Sequence, residues 1–372
     1  MAHCHPDYPY FTREICKRGI LAEPFRLLDV GVRGGVANHW LNFGDHLHAW
    51  GFDVLEESIR PLVEANEHPE RLHYLSIGLG DEDTIRPFKF YPDNPFSSHF
   101  AASDGSDQTD DSWQQVPIRR LDTLYADGTI GAVDFMKMDA ETYEVEIVRG
   151  ARQFFLNSGI FGVESETHFL RTTRQPHSHF VELYEQLAPY GLTVYDIGVH
   201  RVPRPPLAHG FPQETGRGEY VLQPIGAARV FDFLFLSDVF ENAAKQSSAG
   251  PDRLLKMIAV AEIYGLQDIG LDILLANRER LSGRFDVEQG MDWLIRQRPD
   301  SKLTYKQYLA GGQSADEAGF LTDYSARIQQ VMLKAKLAKL EAELDAIRNS
   351  RSSCMTSLLR NAARRFRSWG QR

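Results

Sequence analysis

Apolar residues fall in short continuous runs that alternate with helically spaced ones from about residue 25 to residue 240. Runs such as Phe-Arg-Leu-Leu-Asp-Val and Val-Asp-Phe-Met-Lys-Met are typical of strands buried on both faces. The pattern predicts seven strands, at 26–30, 47–52, 72–77, 133–138, 161–166, 192–197 and 230–236. It predicts helices at 35–43, 58–66, 141–156 and 179–187. Alternation of this kind indicates a parallel sheet covered by helices.

The stretch from 90 to 115 interrupts this alternation. It is rich in Pro, Ser, Asp and Gly, and it follows an extra strand predicted at 85–91. We therefore expect a long loop there. Loops of this length inside a compact domain are often functional lids, although disorder is the alternative.

The pattern changes after residue 237. Residues 247–251 read Ser-Ser-Ala-Gly-Pro, as in a linker, and helical spacing then resumes. We predict an α/β domain over 1–245, a helical subdomain over 246–325 and a tail over 326–372.

Two features of the tail suggest partners. Leucines four and three residues apart within 326–348 predict a short coiled coil that would join copies of the chain, or a helix packed on its own domain. Six arginines and no acidic residue lie in 351–372, beside an apolar helical face. Such a helix is typical of peripheral contact with an anionic membrane, with partner docking as the alternative.

Composition narrows the class of protein. Hydrophobic residues make up 42% and charged residues 25% of the 372 residues, which indicates a globular chain. The net charge of −10 disfavours nucleic acid as a partner. Three scattered cysteines predict a reducing compartment, and no apolar run approaches the roughly 20 residues that a membrane span needs. We expect a cytoplasmic protein.

The first chemical signal is the turn that follows the first predicted strand. It reads Asp-Val-Gly-Val-Arg-Gly-Gly, and its glycines would let the backbone pass close to a ligand at a helix N-terminus. Dinucleotide-binding turns read G-x-G-x-x-G, whereas this one reads G-x-x-G-G. Asp29 would repel a pyrophosphate but suits an amine, which favours S-adenosylmethionine (SAM) over NAD. Asp29, Gly31, Arg33 and Gly35 are candidate cofactor residues.

Two further signals follow the second and third strands. Asp53 ends the second strand and is placed to accept the ribose hydroxyls of an adenosine, with a role at a helix N-terminus as the alternative. Gly78 and Asp81 follow the third strand, where an adenine pocket would lie. Gly80-Asp81 is also a common turn pair.

The catalytic candidates lie after the fourth and fifth strands. Asp139 ends a buried strand, where ligands bind in open α/β sheets, although it could only cap the next helix. Glu164, Glu166 and His168 alternate along the next strand and so share one face. Asp139, Glu166 and His168 could hold a divalent metal. His168 or Asp139 is the candidate general base.

Taken together, these residues resemble the FkbM family of SAM-dependent methyltransferases over roughly 26–240. The resemblance rests on Asp-Val-Gly-Val-Arg-Gly-Gly at 29–35, Gly-Phe-Asp at 51–53, Leu-Asp-Thr-Leu and Asp-Phe-Met-Lys-Met-Asp-Ala-Glu within 121–141, and Val-Arg-Gly-Ala at 148–151. It implies a class I Rossmann-like sheet, parallel with a reversed last strand, and O-methylation of a hydroxyl.

By the same resemblance, Asp29, Gly31 and Asp53 bind SAM, and Asp139 with Glu141 lines the catalytic end. The sequence departs from the family at two places, with Thr142 where Gly is usual and with Arg33 where many members have Asn. Both departures bear on the local geometry near the methyl donor.

The tail is similar to endings of bacterial enzymes of surface-polysaccharide assembly. The resemblance implies a sugar hydroxyl of a glycan as acceptor and a location at the inner face of the membrane. A lipid or small-molecule hydroxyl is an alternative acceptor. A non-catalytic SAM-fold scaffold is the alternative of another class, and it predicts weak or absent SAM binding.

Overall fold

A computed structural model describes most of the first 313 residues. The described residues are 5–6, 8–91, 98–101, 112–140, 143–168, 180–202, 212–214, 220–222, 227–296 and 303–313. They divide into two compact units, one formed by the stretches up to 204 and from 224 to 305, the other by 205–223 and the residues after 305. The predicted coiled coil and basic helix of the tail lie outside the described residues.

The described residues form thirteen strands and twelve helices. The strands are β1 (Phe25–Val30), β2 (Leu47–Asp53), β3 (Leu72–Ser76), β4 (Gly78–Leu79), β5 (Thr84–Lys89), β6 (His99–Phe100), β7 (Gln114–Arg119), β8 (Phe135–Met138), β9 (Gly162–His168), β10 (Leu192–Val202), β11 (Pro212–Glu214), β12 (Tyr220–Leu222) and β13 (Ala227–Ser237). The helices are α1 (Tyr10–Lys17), α2 (Glu56–Glu64), α3 (Leu121–Ala126), α4 (Glu144–Arg149), α5 (Arg152–Asn157), α6 (Phe180–Leu187), α7 (Ala243–Gln246), α8 (Pro251–Ile263), α9 (Gln267–Ala276), α10 (Arg278–Leu281), α11 (Val287–Leu294) and α12 (Tyr305–Gln313).

The first unit is built on a seven-stranded sheet of order β10-β13-β9-β8-β1-β2-β3. Five of its strands, β3, β2, β1, β8 and β9, run parallel to one another, and β13 runs antiparallel to both β9 and β10. All seven strands predicted from the apolar runs are present. The reversed strand and the strand order confirm the class I Rossmann-like sheet. In the second unit, β11 and β12 form an antiparallel hairpin.

Each face of the sheet carries its own apolar core. On one face, Leu27, Phe135 and Leu234 pack against α1 and against the buried residues of α8, α9 and α11. On the other, Leu28 and Met136 pack against α3 to α6. Consecutive residues of one strand enter opposite cores because side chains alternate along a strand. This explains why the central strands are apolar at nearly every position.

Two of the predicted helices differ from the structure. The helix predicted at 35–43 is wrong, because Gly34 and Gly35 have φ values of +84° and +95°, and only a 3-10 segment forms at Trp40–His46. The helix predicted at 141–156 is interrupted between α4 and α5. The carbonyl of Gly150 accepts a hydrogen bond from the Asp122 amide at 3.0 Å, which turns the chain at that point.

The loop predicted at 90–115 contains strands β6 and the start of β7. These strands pair with the predicted β5 and with β4 in a sheet of order β4-β7-β5-β6. Its core is small and consists of Leu55, Phe88, Val116 and Ile118. In β7 only two apolar positions alternate around Pro117, so the sequence signal for this strand is weak.

Helix α8 follows the predicted linker and begins at Pro251, a favourable first position for a helix. All of its residues from Leu254 to Ile263 are buried. The Lys256 ammonium lies 2.9 Å from the Asp134 carboxylate of the sheet. Glu262 accepts hydrogen bonds from the Phe11 and Thr12 amides at 2.8 Å, and burial raises its pKa to about 7. The helical segment therefore shares one core with the sheet; the domain boundary at 245 stays a prediction.

Among the described helices, none combines the length and the apolar character that crossing a lipid bilayer requires.

Candidate active site

A cavity of about 430 Å³ opens at the carboxyl ends of β1, β2 and β8. Its charged lining comes from the ends of these strands, and its apolar lining comes mainly from the small antiparallel sheet. The lining residues that matter for its chemistry are Asp29, Gly31, Arg33, Gly35, Asp53, Gly78, Phe88, Phe90, Phe100, Lys137, Asp139 and Tyr143. In an open α/β sheet this edge is where ligands bind.

The floor of the cavity depends on Gly31. Its φ is +80°, and a Cβ atom at this position would lie 2.0 Å from the carbonyl oxygen of Asp139. The amide of Gly31 donates to Phe52 O at 2.8 Å, and the amide of Asp139 donates to Val30 O at 3.0 Å. Because no side chain intervenes, the strand ends of β1 and β8 come together and set Asp29 and Asp139 on one cavity.

Asp29 is the most deeply buried carboxylate of the cavity, with 3% of the residue exposed. Burial raises its pKa to about 6, although the nearby Lys137 opposes this. Its Oδ1 atom makes no hydrogen bond within the described part of the chain. A buried carboxylate oxygen without a donor is costly, and a cationic donor in the cavity would relieve that cost.

Lys137 lies between two of the carboxylates. Its Nζ atom is 3.8 Å from Asp29 Oδ1 and donates a hydrogen bond of 3.3 Å to Asp139 Oδ2. Burial tends to lower the pKa of Lys137, but Asp139, Asp29 and Glu164 together raise it. The ammonium therefore stays charged and holds the Asp29 and Asp139 carboxylates in a fixed relation.

Asp53 lies at the end of β2. Its Oδ1 atom accepts a hydrogen bond of 2.8 Å from the Leu55 amide, which fixes the carboxylate. Burial raises the pKa of Asp53, while the Leu55 amide and Arg33 act in the opposite direction. The other carboxylate oxygen can accept hydrogen bonds from a vicinal diol such as that of ribose.

An aromatic wall faces these charged strand ends. Phe88, Phe100 and Tyr143 form a chain of ring contacts with centroid distances of 5.0 Å and 4.4 Å. The guanidinium of Arg33 lies over the Phe90 ring, 5.3 Å from its centroid. A wall of this kind suits a flat heteroaromatic ring. The sequence pattern did not indicate this aromatic wall, because three of its residues lie in or beside the small sheet.

A polar link extends from the cavity into the helical layer. Asp29, Lys137 and Glu164 occupy one register row across β1, β8 and β9. Glu164 Oε2 accepts a hydrogen bond of 2.7 Å from the Tyr264 hydroxyl, which follows α8. Burial raises the pKa of Tyr264 well above its usual range, and Glu164 adds to this effect. The phenol therefore stays protonated and neutralises part of the carboxylate charge by donation.

The structure brings most of the candidate residues together. Asp29, Gly31, Arg33, Gly35, Asp53, Gly78 and Asp139 all line the cavity. Asp81 and Glu166 are not among its lining residues. The side chain of His168 and the whole of Glu141 and Thr142 lie outside the described residues. Within the described chain no three potential ligands group together, so the Asp139–Glu166–His168 metal site stays a prediction.

Other motif residues hold the architecture together. The Asp122 carboxylate accepts a hydrogen bond of 2.9 Å from the Phe154 amide and so stabilises the start of α5. A Cβ atom on Gly150 would lie 1.9 Å from the Gly80 carbonyl oxygen, so the Val-Arg-Gly-Ala motif requires glycine there. Asp134 accepts hydrogen bonds from Arg26 N and Lys256 Nζ. These residues position the sheet and lie away from the reacting atoms.

The strand order, the reversed β13 and the acidic cavity at the carboxyl ends define a class I SAM-dependent methyltransferase. Residues 29–191 match the family model described as the methyltransferase FkbM domain. The match includes the last two residues of β1, strands β2 to β9 and helices α2 to α6. Comparison with curated proteins gives no match.

Solved structures with a related arrangement are distant. Fibrillarin from Aeropyrum pernix with bound SAM is 14% identical and has a TM-score of 0.31, over 61% of this chain and 76% of that chain. Precorrin 8W decarboxylase from Methanobacterium thermoautotrophicum is 15% identical, with a TM-score of 0.29 over 59% and 87%. Magnesium protoporphyrin IX methyltransferase from Synechocystis PCC 6803 with bound SAM is 8% identical, with a TM-score of 0.27 over 61% and 80%. At these values none of them bears on the substrate of this chain.

The cavity residues fit SAM on their own chemistry. Asp29 offers an anionic, unsatisfied oxygen to the ammonium of the methionine moiety. Asp53 offers an acceptor to the ribose diol, and the aromatic wall offers an apolar face to the adenine. The lining of the cavity therefore fits SAM as a cofactor.

Proposed function

We propose that this chain is an O-methyltransferase that acts on a hydroxyl of a glycan, at the cytoplasmic face of a bacterial membrane. The observation that supports the reaction type is the Asp139 carboxylate. It lies at the cavity, its side chain is 39% exposed, and Lys137 fixes one of its oxygens. The glycan and the membrane location rest on the resemblance of the tail.

The proposed reaction requires the protein mainly to place the methyl donor and the acceptor hydroxyl next to each other. Bound SAM supplies an electrophilic methyl group, and methyl transfer releases a neutral thioether. The exposed side of Asp139 accepts a hydrogen bond from a hydroxyl of the acceptor and fixes the sugar ring at the donor end of the cavity. Holding two reactants in line can lower the barrier by several kcal/mol. The apolar wall excludes water, which would compete as acceptor.

Calorimetric titration of SAM and S-adenosylhomocysteine into the purified full chain tests cofactor binding. Asp53→Ala should weaken both affinities, because the ribose loses its acceptor. A change at the exposed Asp127, outside the cavity, serves as the matched control and should leave both affinities unchanged. If neither ligand binds the wild-type chain, the enzyme proposal fails and a scaffold role is favoured.

Transfer of a labelled methyl group tests the acceptor class. Glycosides, lipid-linked glycans, alcohols and amines are offered to the SAM-bound chain, and the products are identified by mass spectrometry. A methyl ether on a sugar supports the proposal. Methylation of amines alone, or of simple lipid alcohols alone, contradicts it.

A further inference from the structure

The amino-acid end of SAM carries an ammonium and a carboxylate on one carbon atom. Asp29 Oδ1, which makes no hydrogen bond within the described part of the chain, fits the ammonium. The carboxylate also needs a donor in the cavity, because a charge that is removed from water without a partner is costly. Among the described residues that line the cavity, two carry a positive charge, Arg33 and Lys137.

Arg33 belongs to the ribose side of the cavity. Its guanidinium lies over the Phe90 ring, and its charge acts to lower the pKa of Asp53, the acceptor for the ribose. The cation that acts on the pKa of Asp29 is instead Lys137. Lys137 is therefore the cation that lies next to the binding group for the SAM ammonium.

The distance between Asp29 and Lys137 matches the two charged groups of an α-amino acid. Asp29 Oδ1 and Lys137 Nζ lie 3.8 Å apart, which is too long for a hydrogen bond between them. From standard bond lengths, the ammonium nitrogen and the nearer carboxylate oxygen of an α-amino acid lie about 3 Å apart. An amino acid can therefore place its ammonium on Asp29 and its carboxylate on Lys137 at the same time, so that each of the four charges has an opposite charge beside it.

Lys137 has hydrogen-bonding capacity left for this role. An ammonium has three donors, and within the described chain Lys137 makes one hydrogen bond, to Asp139 Oδ2 at 3.3 Å. The Lys137 side chain is 24% exposed, so its remaining donors are largely shielded from water. A charge-assisted hydrogen bond is strongest in such surroundings.

Strand register fixes the two side chains beside each other. Asp29 and Lys137 are register partners on the adjacent parallel strands β1 and β8, so they point to the same face of the sheet. Both strands lie in the interior of the seven-stranded sheet. A site built on strands is held more precisely than one built on loops, so the spacing of the pair is set by the sheet itself.

We propose that Lys137 binds the carboxylate of the methionine moiety of SAM, beside the ammonium on Asp29, and so positions the methyl donor. The inference rests on the part of the proposed function that makes SAM the cofactor, and it is independent of the acceptor. With one attachment point the α-carbon of SAM could rotate, whereas two attachment points fix it. Because the same ammonium holds Asp139, one side chain positions both the cofactor and the residue assigned to the acceptor.

Calorimetric titration of the full chain with three ligands tests the assignment. S-adenosylhomocysteine carries both charged groups, its decarboxylated analogue keeps only the ammonium, and 5′-methylthioadenosine has neither. In the wild-type chain, loss of the carboxylate should weaken binding about ten- to a hundredfold, the range expected for a charge-assisted hydrogen bond. In Lys137→Met the affinities for S-adenosylhomocysteine and its decarboxylated analogue should become nearly equal, whereas Lys137→Arg should keep part of the difference.

Two control variants separate the carboxylate from other effects. Asp29→Asn should lose the preference for the decarboxylated analogue over 5′-methylthioadenosine, but it should keep the preference for the ligand with the carboxylate. Lys245→Met is the matched control, because Lys245 forms an exposed ion pair with Asp238 and does not line the cavity. This variant should bind all three ligands as the wild-type chain does.

The outcomes separate this assignment from the proposed function. If S-adenosylhomocysteine does not bind the wild-type chain, the proposed function fails and the assignment fails with it. If the wild-type chain binds S-adenosylhomocysteine and its decarboxylated analogue equally, only the assignment is overturned, and this comparison needs no variant to fold. A loss of affinity in Lys137→Met that is the same for both ligands would identify a structural counter-ion and would also overturn it.

Discussion

Asp29 gives the sharpest prediction, because the residue that binds the cofactor should also destabilise the fold. Burial raises its pKa from 3.8 to about 6. The folded chain therefore holds this proton more tightly than the unfolded chain does. Stability from the neutral form is fully present below pH 3.8 and is lost as the pH rises through about 6. A shift of about two units corresponds to about 3 kcal/mol.

Asp29→Asn removes this penalty, since the amide stays neutral at every pH. Lys137 keeps Asp139 as a partner at 3.3 Å, so the ammonium is not left unpaired. The free energy of unfolding of the variant, relative to wild type, should rise by up to about 3 kcal/mol between pH 4 and pH 7. SAM affinity should fall roughly ten- to a hundredfold, because a charge-assisted hydrogen bond to the ammonium is lost.

Urea denaturation of both proteins at a series of pH values, with calorimetry at pH 7.5, measures the two effects. Asp127→Asn is the control, because its effect on the free energy of unfolding should depend on pH with the opposite sign. Hydrogen bonds from Thr129 lower the pKa of Asp127, so this variant should lose stability relative to wild type above pH 4 and regain parity in acid. A stability difference between Asp29→Asn and wild type that does not change with pH would refute the reasoning.

Three further outcomes follow from the cavity. Asp139→Asn should lower kcat about 100-fold with the melting temperature unchanged, since misplacing a reactant costs about this much; near-normal turnover would remove the residue from the mechanism. Gly31→Ala should lower the free energy of unfolding by several kcal/mol, whereas Gly34→Ala, where φ is also positive but a Cβ meets nothing within 4 Å, should cost about 1 kcal/mol by urea denaturation. Equal losses would contradict the steric argument. Lys137→Met should weaken SAM binding and destabilise the fold above pH 6, because Asp29 then loses its nearest cation; unchanged calorimetry at pH 7.5 would disprove this.

The main sheet could be predicted from the sequence because its strands are buried on both faces. Their apolar runs are local signals, and all seven appear in the structure. Asp29, Asp53 and Asp139 could be placed for the same reason, since each one lies at or next to the end of a strand and parallel strands end at one edge. Strands β4, β6 and β7 of the small sheet were missed, because β7 alternates and β4 and β6 have only two residues each.

The contacts missed at the site join residues that are far apart in the chain. Glu164 and Tyr264 are 100 residues apart, and no local pattern links them. Lys137 did give a signal in the sequence, because a charged residue inside a buried strand is unusual and can indicate a site.

The hydrogen bonds between the sheet and the region of α8 decide which part of the chain can be transferred to another protein as a working unit. Asp134 is neutralised by Lys256, and Glu164 accepts the hydrogen bond of Tyr264. A fragment cut at the limits of the family match, 29–191, would leave β9 with a bare edge and both carboxylates without these donors. Fusion proteins and domain exchanges should therefore carry the chain from α1 through α11. The segment that matches the family model is shorter than the segment that folds as one unit and has to be transferred.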